Sequence, residues 1–395
     1  MKKFCLFFIL ILSSVLLLSG CTHEMVSLYI YKMPEKLVYN IGEELDVAGL
    51  ELKNIKTDSA LLKIDNSKAS FSGFDSSTSG KKEVLVSFGN FTTSFTVYVA
   101  NKVAQNVEEL TNLLENVEDN DIIFLKEGEY KISNPIEINN SNIVIGGEGK
   151  DKTKINSFVV LGGYFENGTI NYNNGASNVT FLSIGFNLDS EIKNNVIEFQ
   201  NKNYNENLAA INFESVEGLN LINCSFKGYS YGVLGNSVTN ALITGNTFNN
   251  LYVGGIKIDE SISNTTLSKN IINSIANSVV KLNEEGKQEF SFGIYLSFNT
   301  EENCGVSVYK NSISKIALKN SELKYFNKIT KGEFNNLNYM NNSSAIIIRS
   351  SSKNNLQTNG ISIFFNSVGS TLNNILYNTT EFDRINSSSV MYMSF

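Results

Sequence analysis

The sequence predicts an all-β chain: a small antiparallel sandwich, then a long β-solenoid that opens with one short helix. Three observations predict it. Apolar residues alternate with polar ones at Leu28 and Ile30, at Val84, Val86 and Phe88, and at Phe95, Val97 and Val99. A strand pattern recurs about every 22 residues through the C-terminal part, the range of repeat architectures. Only Val107, Leu110, Leu113, Leu114 and Val117 follow helical spacing.

Residues 1–20 read as an export signal. Lys2 and Lys3 precede an apolar run from Phe4 to Leu18, and small residues lead into Cys21. The run is short for a membrane span and ends as a cleavage site does. Leu18-Ser19-Gly20-Cys21 resembles the bacterial lipobox. That resemblance implies cleavage before Cys21, diacylation of its thiol and acylation of the new amino terminus. Several acyl chains on one residue anchor more firmly than a single chain, which binds only marginally. The expected location is extracytoplasmic, on a bacterial membrane or cell surface, with residues 21–27 as a linker. Thr22 stands where many lipoproteins retained at the inner membrane have Asp.

Residues 28–100 predict the sandwich. Short alternating runs are separated by turn residues at Asn40-Ile41-Gly42, Ser79-Gly80-Lys81 and Gly89-Asn90. Pro34, Tyr39, Gly42-Glu43, Leu45, Gly49-Leu50, Ser72-Gly73-Phe74-Asp75 and Gly80 before Val84-Leu85-Val86 resemble the bacterial Ig-like domains of group 3. The resemblance implies a spacer or adhesive module with no chemistry of its own; an unrelated small β-domain would share the pattern.

Residues 103–395 predict the solenoid. The helix leads into a buried strand, Asp121 to Leu125, a turn at Glu127 to Tyr130, and strands at Ile136 to Ile138 and Ile143 to Ile145; Gly146 to Gly149 reads as a turn. Two strand types then repeat. The first occurs at Ala210–Glu214, Gly232–Asn236, Gly255–Asp259, Gly293–Ser297 and Ala345–Arg349. The second occurs at Leu219–Phe226, Ala241–Phe248, Thr265–Ile272, Val306–Ile313 and Ile361–Val368. Most second-type copies carry Asn two residues before their closing apolar residue, at Asn246, Asn270, Asn311 and Asn366, with Cys224 in the first copy. One coil cannot bury its own apolar face, so stacked neighbours make the core. The helix, Asp121 to Tyr130, Ile143 to Gly149 and the Asn-bearing repeats resemble right-handed parallel β-helix proteins of the pectin lyase-like class. Another solenoid or a β-propeller would share the period.

Composition excludes several functions. The formal charge is −7, and loss of Lys2 and Lys3 takes the mature chain to about −9, so no basic surface awaits nucleic acid. No Gly-rich nucleotide loop sits between a strand and a helix. The one His, His23, lies beside the anchor, which removes Ser–His catalysis and His-based metal sites. With Cys5 in the leader and Cys21 lipidated, Cys224 and Cys304 remain. They lie three coils apart, about 14 Å at the strand spacing. That is beyond the reach of a disulfide, so both are expected as free thiols.

Side chains alternate across a strand. If Ile211, Phe213, Ile256, Ile258, Ile294, Leu296, Ile346 and Ile348 point inward, then Asn212, Glu214, Leu234, Asn236, Lys257, Asp259, Tyr295, Ser297, Ile347 and Arg349 share one outer face. Asn212, Glu214, Asn236, Lys257, Asp259, Tyr295 and Arg349 are the expected binding face, with Lys257, Asp259, Tyr295 and Arg349 as candidate acid–base groups. An exposed strand face also carries polar residues whatever its role. Neither the Asp-bound calcium and Arg base of the fold's known lyases nor the Asp cluster of its polygalacturonases maps onto the chain, so the resemblance carries over no catalytic residue. Asp259-Glu260 would suit calcium, without a specific motif. Insertions at 273–291 and 314–344, the second bearing Tyr325, Phe326, Phe334 and Tyr339, are loops of the kind that carry binding.

Three functions follow. The sequence ranks a glycan- or host-surface-binding role first and a non-enzyme above an enzyme. The second is a polysaccharide lyase or glycosidase acting on an acidic polysaccharide. The third is a purely structural surface protein.

Overall fold

A computed structural model describes residues 25–56, 61–166, 169–188, 209–251, 253–275, 292–298, 305–316, 344–350, 360–371 and 373–378. Cys21, His23, Cys304 and most of both insertions lie outside them. The chain divides into two compact units. The first is drawn from Met1–Pro34, Val47–Phe74 and Lys82–Thr96, the second from Glu35–Asp46, Asp75–Lys81 and Val97–Phe395.

In the first unit, Met25–Lys32 pairs antiparallel with Glu51–Lys56, which pairs in turn with Leu61–Ile64. Ser70–Ser72 runs antiparallel to the stretch Leu85 to Ser87. Leu28, Ile30, Leu52, Ile64, Val84, Val86 and Phe95 are buried, every second residue as the pleat requires. Gly73, at φ 84°, has Glu83 O only 2.6 Å from where a Cβ would stand, so the turn needs glycine.

The second unit is a parallel β-helix. Its helix, α1 (Val107–Glu115), is shorter than the apolar spacing predicts. Asn106 Oδ1 accepts from Glu109 N, and the Glu109 carboxylate reaches back to Gln105 N, closing the first turn reciprocally. Leu110 is buried from this helix into the solenoid core.

Each coil contributes three strands, not the two that the repeat suggests. The second-type segments break in the middle: Ala209–Ile222 is followed by Ser225–Lys227, and Leu242–Thr244 by Thr247–Leu251. Left-handed backbone makes the break, at Asn223 (φ 57°), Gly245 (69°), Lys269 (55°), Lys310 (55°) and Phe365 (53°). First and second ladders merge into one 17-stranded sheet, because Ala209–Ile222 and Tyr231–Thr239 run on through both walls. The third ladder is a separate sheet of eight strands. Gly146 and Gly147, expected in a turn, end the strand Val144–Gly147 instead.

Inside, like residues stack in register. Val159, Ile211, Val233, Ile256, Ile294 and Ile346 form one inward column. The Phe213 ring fills the space beside Gly235, where a Cβ would come within 2.0 Å of it. In the third ladder Phe186, Phe226 and Phe248 stack face to face, with centroids 5.3 and 4.7 Å apart. Each ring buried this way removes a large apolar area from water and adds aromatic contact.

The asparagine column lies at the bend after each second-ladder strand; Asn246, Asn270 and Asn311 are buried and Asn366 is half-buried. Asn270 Nδ2 donates to Ile243 O (2.9 Å) and to Asn311 Oδ1 (2.9 Å). Asn270 Oδ1 accepts from Asn246 N and Nδ2, both at 3.0 Å. Asn311 repeats the arrangement with Asn366, and Cys224 N donates to Asn246 Oδ1 at the other end. The left-handed bend leaves a backbone N–H inside, and the amide of the next coil satisfies it. Cys224 is a free, buried thiol in the ladder position. Among the described residues no helix is long and apolar enough to cross a membrane.

Candidate functional site

Register decides which outward residues become neighbours. Glu137, Val160, Asn212, Leu234, Lys257, Tyr295 and Ile347 form one outward column of the first ladder. Two residues further along each strand, Glu214, Asn236, Asp259, Ser297 and Arg349 form the next.

Among the described residues the middle of this face forms a contiguous half-open stretch. Leu234, Lys257 and Tyr295 are half-buried, as are Glu214, Asn236, Asp259 and Ser297. Lys257 Nζ lies 3.3 Å from Asp259 Oδ2 and 5.6 Å from the Tyr295 ring centroid. Tyr295 packs at 5.3 Å against Phe292, which stacks at 6.0 Å on Tyr231. Phe292 and Tyr231 are buried with Ala209, Val253 and Ile347 in a second apolar cluster, and Leu234 and Tyr295 rest against it. The open stretch is thus a polar strip with an apolar flank.

Two expected face residues are corrected. Asn212 is 1% exposed. Its Nδ2 donates to Ala209 O and Val159 O, and its Oδ1 accepts from Ala209 N, so the amide ties down the start of its own strand and offers nothing to a ligand. Ile347 points outward yet is fully buried, because the apolar cluster encloses it. Arg349 holds its place in the ladder opposite Ser297; its side chain lies outside the described residues.

A hairpin that sequence reasoning missed borders the face. Gly163–Glu166 pairs antiparallel with Thr169–Tyr172, straight after the first-ladder strand Val159–Leu161. Phe165, Ile170 and Tyr172 pack on the cluster of buried residues that contains Val160, while Tyr164 faces out. Phe165 N donates to Glu137 Oε1 (2.7 Å), and its ring meets Phe158 edge-on at 5.4 Å. Burial pushes the Tyr172 hydroxyl well above the usual tyrosine range, and the Glu214 carboxylate adds to it. The signal was present: Gly162-Gly163 and Asn173-Asn174-Gly175 bracket an alternating run.

A second charged constellation is structural. Lys36 Nζ bridges Glu43 (2.8 Å) and Glu148 (2.9 Å) above the Phe124 ring, and Lys126 approaches both carboxylates. Burial works against the Glu43 charge. Hydrogen bonds from Lys36 and Asn40 N and the charges of both lysines outweigh it, holding the carboxyl at about 2. Two cations answer two anions, and nothing is left over for a substrate. No three acidic, Cys or His side chains among the described residues gather as a metal site.

Similarity to known proteins is local. Pectate lyase L of Thermoclostridium stercorarium is 38% identical over 82 residues, 21% of this chain and 7% of that protein. An exo-beta-1,6-galactobiohydrolase of Bifidobacterium longum is 39% identical over 82 residues, 19% of this chain and 5% of that one. The chain therefore spans less than a tenth of either relative. The catalytic unit of a thermostable GH87 alpha-1,3-glucanase from Streptomyces thermodiastaticus overlays 91% of this chain and 85% of its own at 9% identity, with a TM-score of 0.20. The ranking of a non-enzyme above an enzyme is overturned, because both curated relatives are carbohydrate-active enzymes, one a lyase and one a hydrolase. Residues 33–99 match the model of the bacterial Ig-like domain of group 3.

Proposed function

We propose that the second unit is a carbohydrate-active enzyme of the glycoside-hydrolase type, working on a polysaccharide along the open face of its first ladder. The observation that carries this reading is the placement of Glu214 and Asp259, two half-buried carboxylates on one face, two coils apart. At the strand spacing their backbones lie about 10 Å apart. Hydrolases that invert the anomeric centre hold acid and base about 6.5–9.5 Å apart, leaving room for a water beside the sugar. Asp259, with Lys257 as counter-ion, suits the base, and Glu214 the proton donor. The Tyr295 ring offers a surface for a sugar to lie on.

Charge favours hydrolysis over elimination. Among the described side chains the strip sets two carboxylates against one lysine, already paired to Asp259, and holds no surplus cation to neutralise a uronic acid; the Arg349 side chain lies outside that description. The names of the relatives support a glycan-cleaving role without choosing between lyase and hydrolase. The lipobox-like Leu18 to Cys21 supports an enzyme held at a membrane surface.

The test is a panel of neutral and acidic polysaccharides treated with leader-free protein. Reducing ends and the ultraviolet absorbance of unsaturated ends are followed together. New reducing ends without unsaturation, lost in Glu214→Gln and Asp259→Asn, are expected. Unsaturated ends, no cleavage of any glycan, or full activity in both variants overturns the reading.

A further inference from the structure

Resting on the hydrolase reading, we infer that the hairpin of Gly163–Glu166 and Thr169–Tyr172 walls off one end of the groove, so that the enzyme takes a glycan by its chain end and releases short products.

The outward column runs through seven coils, from Glu137 to Ile347; its half-buried members are Glu137 at the hairpin end and the contiguous Leu234, Lys257 and Tyr295. At the hairpin end, Glu137 is engaged by Phe165 N, and Val160 and Asn212 are buried. Val160 is outward by register, as Glu137 and Asn212 are, so something must lie over it. The hairpin has the right faces for that. Its strands put Phe165 opposite Ile170 and Gly163 opposite Tyr172, and these three larger side chains pack on the cluster that includes Val160. Asn139 Nδ2 donates to Gly163 O and pins the hairpin's root. At Gly163 a Cβ would stand 2.5 Å from Asn171 O, so the two strands close tightly there.

The open strip of Glu214, Asn236, Asp259 and Ser297 covers four coils, about 14 Å along the stack. That accommodates a few sugar rings, not a polymer passing through. Tyr172 belongs to the hairpin strand Thr169–Tyr172, and the Glu214 charge reaches its hydroxyl. A chain end seated against the hairpin therefore brings an early glycosidic bond to the carboxylates, and a chain with no free end nearby cannot lie down.

The experiment uses a polymer that the panel shows to be cleaved. Product lengths by chromatography and solution viscosity are recorded together from the first time points. Short products of one or two sizes, with viscosity falling slowly for the bonds cut, are expected. A broad ladder of internal fragments with early loss of viscosity overturns the closed end while leaving hydrolysis standing. Failure to release reducing ends from any glycan overturns hydrolysis itself. A second arm replaces residues 164–171 by an Asn-Gly turn and checks folding by circular dichroism. The trimmed protein is expected to shift to longer and internal products, and an unchanged profile in a folded variant overturns the hairpin's role. Should the trimmed protein not fold, the wild-type product profile still decides.

Discussion

Lys257, on the strand Gly254–Ile258, and Asp259, one residue past its end, bring their charged ends to 3.3 Å on the open face of the solenoid. Both are about a quarter exposed, so water screens the pair and its share in stability is about 0.5 kcal/mol. Asp259→Asn is expected to leave the melting temperature almost unchanged and to lower glycan cleavage about 100-fold or more, the usual scale for losing a general base. Lys257→Ala is expected to lower it less. Reducing-end assays beside thermal melts separate the two effects.

The asparagine column gives a stability prediction. Asn270→Ala removes the acceptor of Asn246 N and the donor to Ile243 O, both inside the core. Leaving buried backbone groups unmatched costs about 1–3 kcal/mol each. The reverse change, Cys224→Asn, is expected to extend the column by one coil and raise stability, since Cys224 Sγ already lies 3.5 Å from Phe181 O. Urea unfolding of both variants checks the opposite signs.

Burial pushes the Cys224 thiol up to about 12, despite the nearby backbone donors and the Lys150 charge. At pH 8 it is protonated and enclosed, and the thiolate is the reactive form. In a leader-free Cys304→Ser protein lacking Cys21, an aromatic disulfide reagent is expected to label nothing in the folded state and one thiol after denaturation. Rapid labelling of the folded protein would contradict the enclosed position.

Glu43 makes the second unit sensitive to acid. Its folded carboxyl titrates near 2, below the ordinary value of 4.5. A lowered carboxylate pKa stabilises the fold fully above the unfolded value, and that contribution disappears as pH falls from about 4.5 toward 2. Melting temperatures taken across this window are expected to fall less steeply in Glu43→Gln than in the wild type, from a lower starting point at neutral pH.

Lipidation of Cys21 predicts a clean separation by fractionation. The wild-type protein is expected to partition with membranes, and Cys21→Ser to move it to the soluble fraction. Mass spectrometry of the mature amino terminus checks the acyl groups directly. A wild-type protein that is soluble and unmodified would refute the anchor.

Much of the architecture was legible in the residues. Inward Ile211, Ile256, Ile294 and Ile346 read directly as a core column, because alternation reports which side of a strand is dry. The asparagines read as a ladder because identical residues recurred at one phase of the repeat. The bend at Asn223 or Lys269 was not legible, since asparagine and lysine adopt left-handed backbone without any sequence mark as strong as glycine. The outward face was legible as a set and not as a site. Alternation says that Asn212 and Ile347 point outward, yet Asn212 is buried with its amide tied to Ala209 and Val159, and Ile347 is enclosed by residues distant from it in sequence.

The sequence by itself determined the periodic features: the sandwich, the coiled ladder, the helix at its start and the inward aliphatic columns. These follow from local alternation and repeat length, which each segment carries within itself. Only the tertiary structure decided which outward residues stay open. That depends on the register that sets Glu214 two coils from Asp259, and on a hairpin packing back onto the core cluster that includes Val160. Register and cover come from contacts between distant segments, and no single stretch of residues encodes them.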